Sequence, residues 1–281
     1  MTAALPDFIL EPLVRAALSE DLSPMGDVTT RAVIPAGARY KARLNAREAG
    51  VVSGMQIAAL AFRIVDPALK IETLVADGQP CTPGQTLMRI EGAAAAILMA
   101  ERVALNFAGR LTGIATLTAA FVAETQGTKT RITCTRKTTP GLRAVEKMAV
   151  THGGGSNHRF GLSDAILIKD NHIAAAGGVR KVLEAARAAR SHMMRVELEV
   201  DSLRQLEDAL ETGGADVILL DNMDTPTLRA AVAINAGRAV LEASGNMRLE
   251  RIAEVAQTGV DYISSGALTH SARTLDLGLD F

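Results

Sequence analysis

The sequence contains no tryptophan, 3% aromatic residues, two cysteines and a formal net charge of only -1 over 281 residues. Each scarcity excludes something. Cys81 and Cys134 lie far apart with no CxxC spacing and no nearby histidine ladder, so neither a structural zinc site nor a disulfide framework is expected, and a reducing cytoplasm is the expected setting. Lysine and arginine form no basic tail or stripe, which argues against non-specific nucleic-acid binding. The longest apolar run, Ala93 to Ala100, is far short of the roughly twenty residues that span a membrane, and MTAALPDFIL lacks the charged-then-apolar order of a targeting signal. What remains, 48% hydrophobic against 22% charged residues, is an ordinary globular composition with material for one large core or two smaller ones.

Against that even background one stretch stands out. Thr135 to His172 collects Arg136, Lys137, Arg143, Lys147, His158, Arg159 and Lys169 around the run Gly153-Gly154-Gly155. So many cations do not suit a core. A merely solvated charged face does not explain three successive glycines, which give up side-chain burial for freedom of φ. The stretch reads as one wall of a pocket for something anionic, with the glycines as a flexible support for His158 and Arg159.

Organisation along the chain points to two domains. An amphipathic helix over Leu10 to Leu18 ends in Ser23-Pro24-Met25-Gly26 turn chemistry. Alternating segments from Tyr40 flank a helix at Met55 to Ile64, and Thr86 to Ile90 reads as a strand. Together these make a small mixed α/β layer domain, expected over residues 1–112. Ala93 to Thr125 is a long Ala- and Leu-rich helical region in which Gly109 and Gly113 are expected to be breaks. On it Arg102, next to Glu101, reads as half of a helix-surface ion pair. After Gly127 short β-rich runs alternate with helices, the pattern of a parallel sheet with crossover helices. Strands ending near Thr135, Lys169, Val200, Asp221, Ser244 and Ser265 favour an incomplete α/β barrel of about six to seven parallel strands over an open doubly wound sheet.

The strand ends carry the chemistry. Each apolar run finishes in a polar residue: Thr135 before Arg136, Ile168 before Lys169, Leu220 before Asp221, Ala243 before Ser244. In α/β barrels that end is the active face. Period two in Val196-Glu197-Leu198-Glu199-Val200 puts both glutamates on one face, Glu199 at the mouth and Glu197 about 7 Å deeper, where a buried ion network is the competing explanation. Ser244-Gly245-Asn246 and Ser265-Gly266-Ala267 follow the last two strands, where barrels commonly cradle a phosphate. Cations at Arg136, Lys137, His158, Arg159 and Lys169, facing carboxylates at Glu199 and Asp221, suit a polyphosphorylated sugar with magnesium and a small, multiply anionic acid clamped by arginine.

The motifs are also specific enough to compare. Thr135-Arg136-Lys137-Thr138-Thr139-Pro140-Gly141-Leu142-Arg143, Asn157-His158-Arg159 after the triple glycine, and Leu167-Ile168-Lys169-Asp170-Asn171-His172 together resemble the quinolinate phosphoribosyltransferase family. Glu20-Asp21-Leu22, Gly26-Asp27-Val28-Thr29-Thr30 and Glu101-Arg102 extend the likeness toward the start, and Leu220-Asp221-Asn222-Met223, Glu242-Ala243-Ser244-Gly245 and Gly266-Ala267-Leu268 toward the end. The resemblance implies an N-terminal α/β sandwich (1–112), an incomplete barrel (113–271) and a tail (272–281) that returns to the first domain. It implies a homodimer, with higher assembly left open, that joins quinolinate to 5-phosphoribosyl-1-pyrophosphate with magnesium and no organic cofactor. By residue, it assigns the quinolinate carboxylates to Arg136, His158, Arg159 and Lys169, with Arg102 reaching in from the other subunit in place of its ion pair. Thr135 is counted among the substrate-binding residues, while Lys137 and Lys169 serve the pyrophosphate, Glu199 and Asp221 the ribose and magnesium, and the loops at Ser244, Gly245 and Asn246 and at Ser265, Gly266 and Ala267 the 5-phosphate. Catalysis would rest on Lys137, Lys169, Glu199 and Asp221. Asn246 and Ser265 depart from the family's usual glycine and aliphatic residue.

Two rivals follow from the same residues. A strand-end lysine is also the aldolase arrangement, making Lys169 a Schiff-base nucleophile. Non-catalytic, molybdenum-transport-associated relatives share the fold but depart at the cationic motifs, which here are intact.

Overall fold

The computed structural model describes residues 4–281; residues 1–3, part of the stretch read for a targeting signal, lie outside the described residues. Two compact units are formed. The first holds the described residues up to Ala119 together with Thr138–Gly154 and Leu268–Phe281; the second holds Ala120–Lys137 and Gly155–Ala267.

The first unit begins with α1 (Asp7–Leu22), which buries Leu10, Val14 and Leu18, and α2 (Val28–Val33), whose first turn is held by the Asp27 carboxylate accepting from Thr30 N–H at 2.8 Å. Strands β1 (Arg39–Ala46) and β2 (Gly50–Val51) lead to α3 (Met55–Val65), followed by β3 (Lys70–Thr73), β4 (Pro80–Cys81) and β5 (Thr86–Ala93). A 30-residue helix, α4 (Ala94–Ala123), follows. It is not interrupted at Gly109 or Gly113. Those glycines serve close approach instead: a side chain at Gly109 would stand 2.8 Å from the Leu275 carbonyl, and one at Gly113 would collide with that of Arg273. The returning chain therefore crosses α4 backbone to backbone. Although α4 is long and apolar enough to cross a membrane, about half of its most apolar window is buried in this fold and it carries Glu101, Arg102 and Arg110, as a core helix does.

Barrel strands then alternate with helices: β6 (Arg131–Thr133), α5 (Arg143–His152, in the first unit), β7 (Ile166–Ile168), α6 (Asp170–Ala176), α7 (Val179–Ala189) and β8 (Val196–Val200). The pattern continues with α8 (Leu203–Thr212), β9 (Val217–Asp221), α9 (Thr225–Asn235), β10 (Val240–Ser244), α10 (Leu249–Ala256), β11 (Tyr262–Ser264) and α11 (Ala267–His270). Last comes β12 (Leu277–Asp280), which pairs antiparallel with β1 in a four-stranded sheet ordered β12-β1-β5-β3.

In the second unit six parallel strands are ordered β6-β11-β10-β9-β8-β7, so the first strand closes onto the last and a gap remains between β6 and β7. This is the incomplete barrel. The segment after the triple glycine covers the open side of β6 through a parallel bridge from Thr133 to Ser156. The strand floor is tied by acids: Asp216 accepts from Val196 N–H at 2.8 Å and pairs with Arg190, and Asp261 accepts from Leu241 N–H at 2.9 Å and pairs with Lys129. Carboxylates at that end satisfy neighbouring strands; those at the other end do not.

The triple glycine has a different cause from the expected one. Gly153 has an ordinary φ of -77°, but a side chain there would collide with the Ala115 carbonyl of α4, and Gly154 takes the left-handed φ of +85° after α5. Close packing and a helix stop explain the pair, rather than flexibility.

Candidate active site

Side chains alternate along each barrel strand, and the interior is accordingly built in two layers. At the C-terminal ends a cavity of about 600 Å³ is lined by Thr135, Arg136, Lys137, His158, Arg159 and Lys169 on one side and by Glu199, Asp221, Ser244, Gly245 and Asn246 on the other. A second cavity of about 520 Å³ lies toward the N-terminal ends, among Arg131, Arg195, Glu197, Val217, Val240 and Tyr262. Glu197 faces the lower space and Glu199 the upper, while Val196, Leu198 and Val200 are 0–1% exposed on the opposite face of β8.

Cations and carboxylates meet at the mouth in defined pairs. Lys169, at the end of β7, donates to Glu199 Oε2 at 2.9 Å, and its backbone N–H is held by His172 Nδ1 at 2.9 Å. At the end of β9, Asp221 Oδ2 accepts from Asn222 Nδ2 at 2.7 Å, and Asn222 Oδ1 accepts from Asn246 Nδ2 at 3.2 Å. Asp221 and Ser244 are register partners. Gly245 is obligatory here, since its φ is +87° and a side chain would collide with Asn222. Asn246 occupies the left-handed region at φ 51°, so asparagine fills a conformation that glycine would take more readily and closes the loop with its own amide.

Arg136 and Arg159 are the unbalanced members. Burial, and then the neighbouring Arg136, push the Arg159 guanidinium below its usual pKa, with Glu197 opposing. The Nε donors of both arginines are buried without a hydrogen-bond partner among the described residues, although Arg159 also reaches the Ala165 carbonyl at 3.1 Å. Two like charges with unused donors side by side are costly unless an anion bridges them.

Several expected residues lie elsewhere. Ser265 is 4% exposed and donates to the Met247 carbonyl at 2.9 Å; Ser264, one residue earlier, lines the mouth. A one-residue shift on a strand exchanges faces, so the structure brings Ser264 rather than the expected Ser265 to the cavity. Gly266 and Ala267 are likewise not among the lining residues, and the Ala267 N–H is engaged by Ser265 Oγ at 3.3 Å. Arg143 bonds Thr138, and Lys147 is buried in α5; both belong to the first unit. Arg102 is exposed on α4 in the first unit. Glu242 and Ser264 were missed, yet each was findable: Glu242 stands two residues before Ser244 on the same face, as Glu197 does before Glu199.

A half-open parallel barrel with paired arginines, a lysine–glutamate pair and a small-residue loop at its mouth defines an α/β-barrel protein built to hold multiply anionic ligands. The comparisons narrow that class. Residues 27–112 match the quinolinate phosphoribosyl transferase N-terminal domain and residues 114–280 its C-terminal domain. A quinolinate phosphoribosyltransferase [decarboxylating] of Nicotiana tabacum is 44% identical over 98% of this chain and 83% of its own. A nicotinate-nucleotide pyrophosphorylase [carboxylating] of Mycobacterium leprae is 46% identical over 95% of each. Among solved structures, the nicotinate-nucleotide pyrophosphorylase of Francisella tularensis superimposes with a TM-score of 0.95 at 38% identity, covering 100% of this chain and 98% of that one. The chain belongs to the quinolinate phosphoribosyltransferase family.

Proposed function

We propose that this protein transfers the 5-phosphoribosyl group of 5-phosphoribosyl-1-pyrophosphate to quinolinate and releases one carboxylate as carbon dioxide. The products are nicotinate mononucleotide and pyrophosphate, a step of de novo NAD synthesis. The observation that carries this reading is the Arg136–Arg159 pair, whose buried, unpartnered Nε donors suit a dicarboxylate better than a monocarboxylate.

Chemistry follows from the charge layout. The pyridine nitrogen attacks the anomeric carbon as its bond to the pyrophosphate oxygen breaks, the bonding pair leaving with that oxygen. Positive charge develops on the ribose ring and negative charge on the leaving group, so Glu199 and Asp221 near the ring and Lys137 and Lys169 near the pyrophosphate both favour the transition state. In the resulting pyridinium the adjacent carboxylate departs as carbon dioxide, its bonding pair staying on the ring carbon next to the nitrogen. The cationic nitrogen stabilises that pair, and a proton from water completes the product. Ser244 with the Gly245–Asn246 loop takes the 5-phosphate, and Thr135 borders the acid.

Magnesium belongs here with the substrate. Glu199 and Asp221 are hard oxygen donors but belong to no convergent three-ligand cluster among the described residues, and Glu199 is already paired with Lys169. They suit an ion that arrives with most of its oxygen ligands on the diphosphate. Arg102 is assigned to the acid site of a partner subunit in a homodimer, and the protein to the cytoplasm, where thiols such as Cys81 and Cys134, neither of them in a disulfide, persist. The lyase reading is not favoured, since Lys169 Nζ is ion-paired and half-exposed rather than held in an apolar pocket.

Steady-state assays with quinolinate and with nicotinate, each with phosphoribosyl pyrophosphate and magnesium, test the assignment. Nicotinate lacks the second carboxylate and leaves one guanidinium unmatched, so its kcat/KM is expected to be about a thousand-fold lower or worse. Equal turnover of the two acids would remove the dicarboxylate reading.

A further inference from the structure

Between the two cavities lies a buried cluster that none of these roles uses. His158 Nε2 stands 2.9 Å from Glu197 Oε2 and 3.7 Å from Glu242 Oε1. Glu197 is 7% and Glu242 4% exposed, and the Oε1 atom of each has no hydrogen-bond partner among the described residues. The other ring nitrogen fixes the tautomer: Arg159 donates its backbone N–H to His158 Nδ1 at 2.8 Å, so Nδ1 must keep its lone pair. The ring proton therefore sits on Nε2 and points at Glu197. A metal ion would need that lone pair on Nε2, and this geometry opposes it even though the three ligand atoms lie within 4.8 Å of one another.

We infer that Glu197, Glu242 and His158 form one proton-sharing unit beneath the anion pocket, and that binding of the dicarboxylate at Arg136 and Arg159 drives uptake of a proton onto Glu242. The inference rests on quinolinate being the acid bound. Two carboxylates this close, with one histidine proton between them, are most stable when one is ionised and the other neutral. Burial and then Glu197 raise the Glu242 carboxyl to about 7, His158 and a hydrogen bond from Ser264 opposing. Above it the same carboxyl faces the mouth cations Arg136, Lys137, Arg159 and Lys169 and the carboxylates Glu199 and Asp221. Below it are Arg131, Arg195 and the Tyr262 phenol. A dianion bound in the cavity that Glu242 also lines brings negative charge beside that carboxyl, which disfavours its ionised form, and the Glu242 carboxyl takes up a proton. Glu242 and Glu197 thus act as positioning residues, setting the charge under the pocket and the orientation of the His158–Arg159 segment.

Calorimetry of quinolinate binding in buffers of different ionisation enthalpy reads the proton directly. Near pH 7 uptake is expected to be a fraction of a proton, below about one-half because the group is already half protonated, and to be absent in Glu242→Gln. The affinity of the native chain is expected to fall as pH rises from 6 to 8, with the Gln variant flatter. On the native protein, nitrogen NMR of His158 is expected to show the Nε2–H tautomer. Binding without uptake, unchanged uptake in Glu242→Gln, an Nδ1–H tautomer, or loss of the His158 signal with micromolar manganese would each overturn the inference. Failure of quinolinate to bind the native protein at all would instead overturn the proposed function.

Discussion

Replacing Arg159 by alanine is expected to lower kcat/KM for quinolinate by about a thousand-fold while leaving KM for phosphoribosyl pyrophosphate within about threefold of normal. Removing one partner of a buried, charge-assisted pair costs roughly 2–5 kcal/mol, which spans about thirty-fold to several thousand-fold. The upper part of that range applies here because Arg159 does several things at once. Its side chain donates to the Ala165 carbonyl, stands against the Glu197 carboxylate and the Arg136 guanidinium, and carries one of the two unused Nε donors. Lysine at this position restores charge but not the planar fork, so Arg159→Lys should recover only a minor part of the loss. Most of the defect should appear in KM for the acid, because a carboxylate that stays on the product is held alike in ground and transition states. A loss below tenfold, or one shared equally with the phosphoribosyl substrate, would count against the clamp.

Arg102→Ala and Lys169→Ala chains are each expected to be nearly inactive, and to regain activity when mixed. If each site draws Arg102 from one subunit and Lys169 from the other, a mixed dimer contains one site with both residues and one with neither. Random exchange makes half of the dimers mixed, so recovery should approach about a quarter of native activity. The readout separates a shared site from a merely structural arginine. Mixed dimers, demonstrated by mass, with no recovery would place Arg102 outside the site.

Much of the barrel could be read from the chain because parallel strands buried on both faces are short apolar runs with nothing else to be. The helices α8 and α9 between them begin at the side-chain N-caps Ser202 and Asp224. Period two also placed Glu197 below Glu199 without a structure. Where sequence reasoning failed, the cause was contact between distant segments. Gly109, Gly113 and Gly153 look like breaks or hinges, but they are small because another backbone passes against them, and no local pattern reports that. Ser265 and Ser264 differ by one position and face opposite sides, a distinction made by pairing with β6 and β10 rather than by composition. The cation-rich stretch looked like one pocket wall, yet its middle third, with Arg143 and Lys147, folds into the other unit. His158 lines the cavity where substrate was expected, and its further partners within the chain, the Arg159 N–H and Glu197, could be shown only by the juxtaposition of β8 and the segment after the glycines.

Phosphoribosyl transfer and decarboxylation are coupled at a single site, and product stoichiometry measures that coupling. Quinolinate labelled in the carboxylate adjacent to the ring nitrogen, incubated with phosphoribosyl pyrophosphate, magnesium and the purified protein, should release one labelled carbon dioxide for each pyrophosphate and each nicotinate mononucleotide formed. Pyrophosphate release without labelled carbon dioxide, or no release of either, would contradict it.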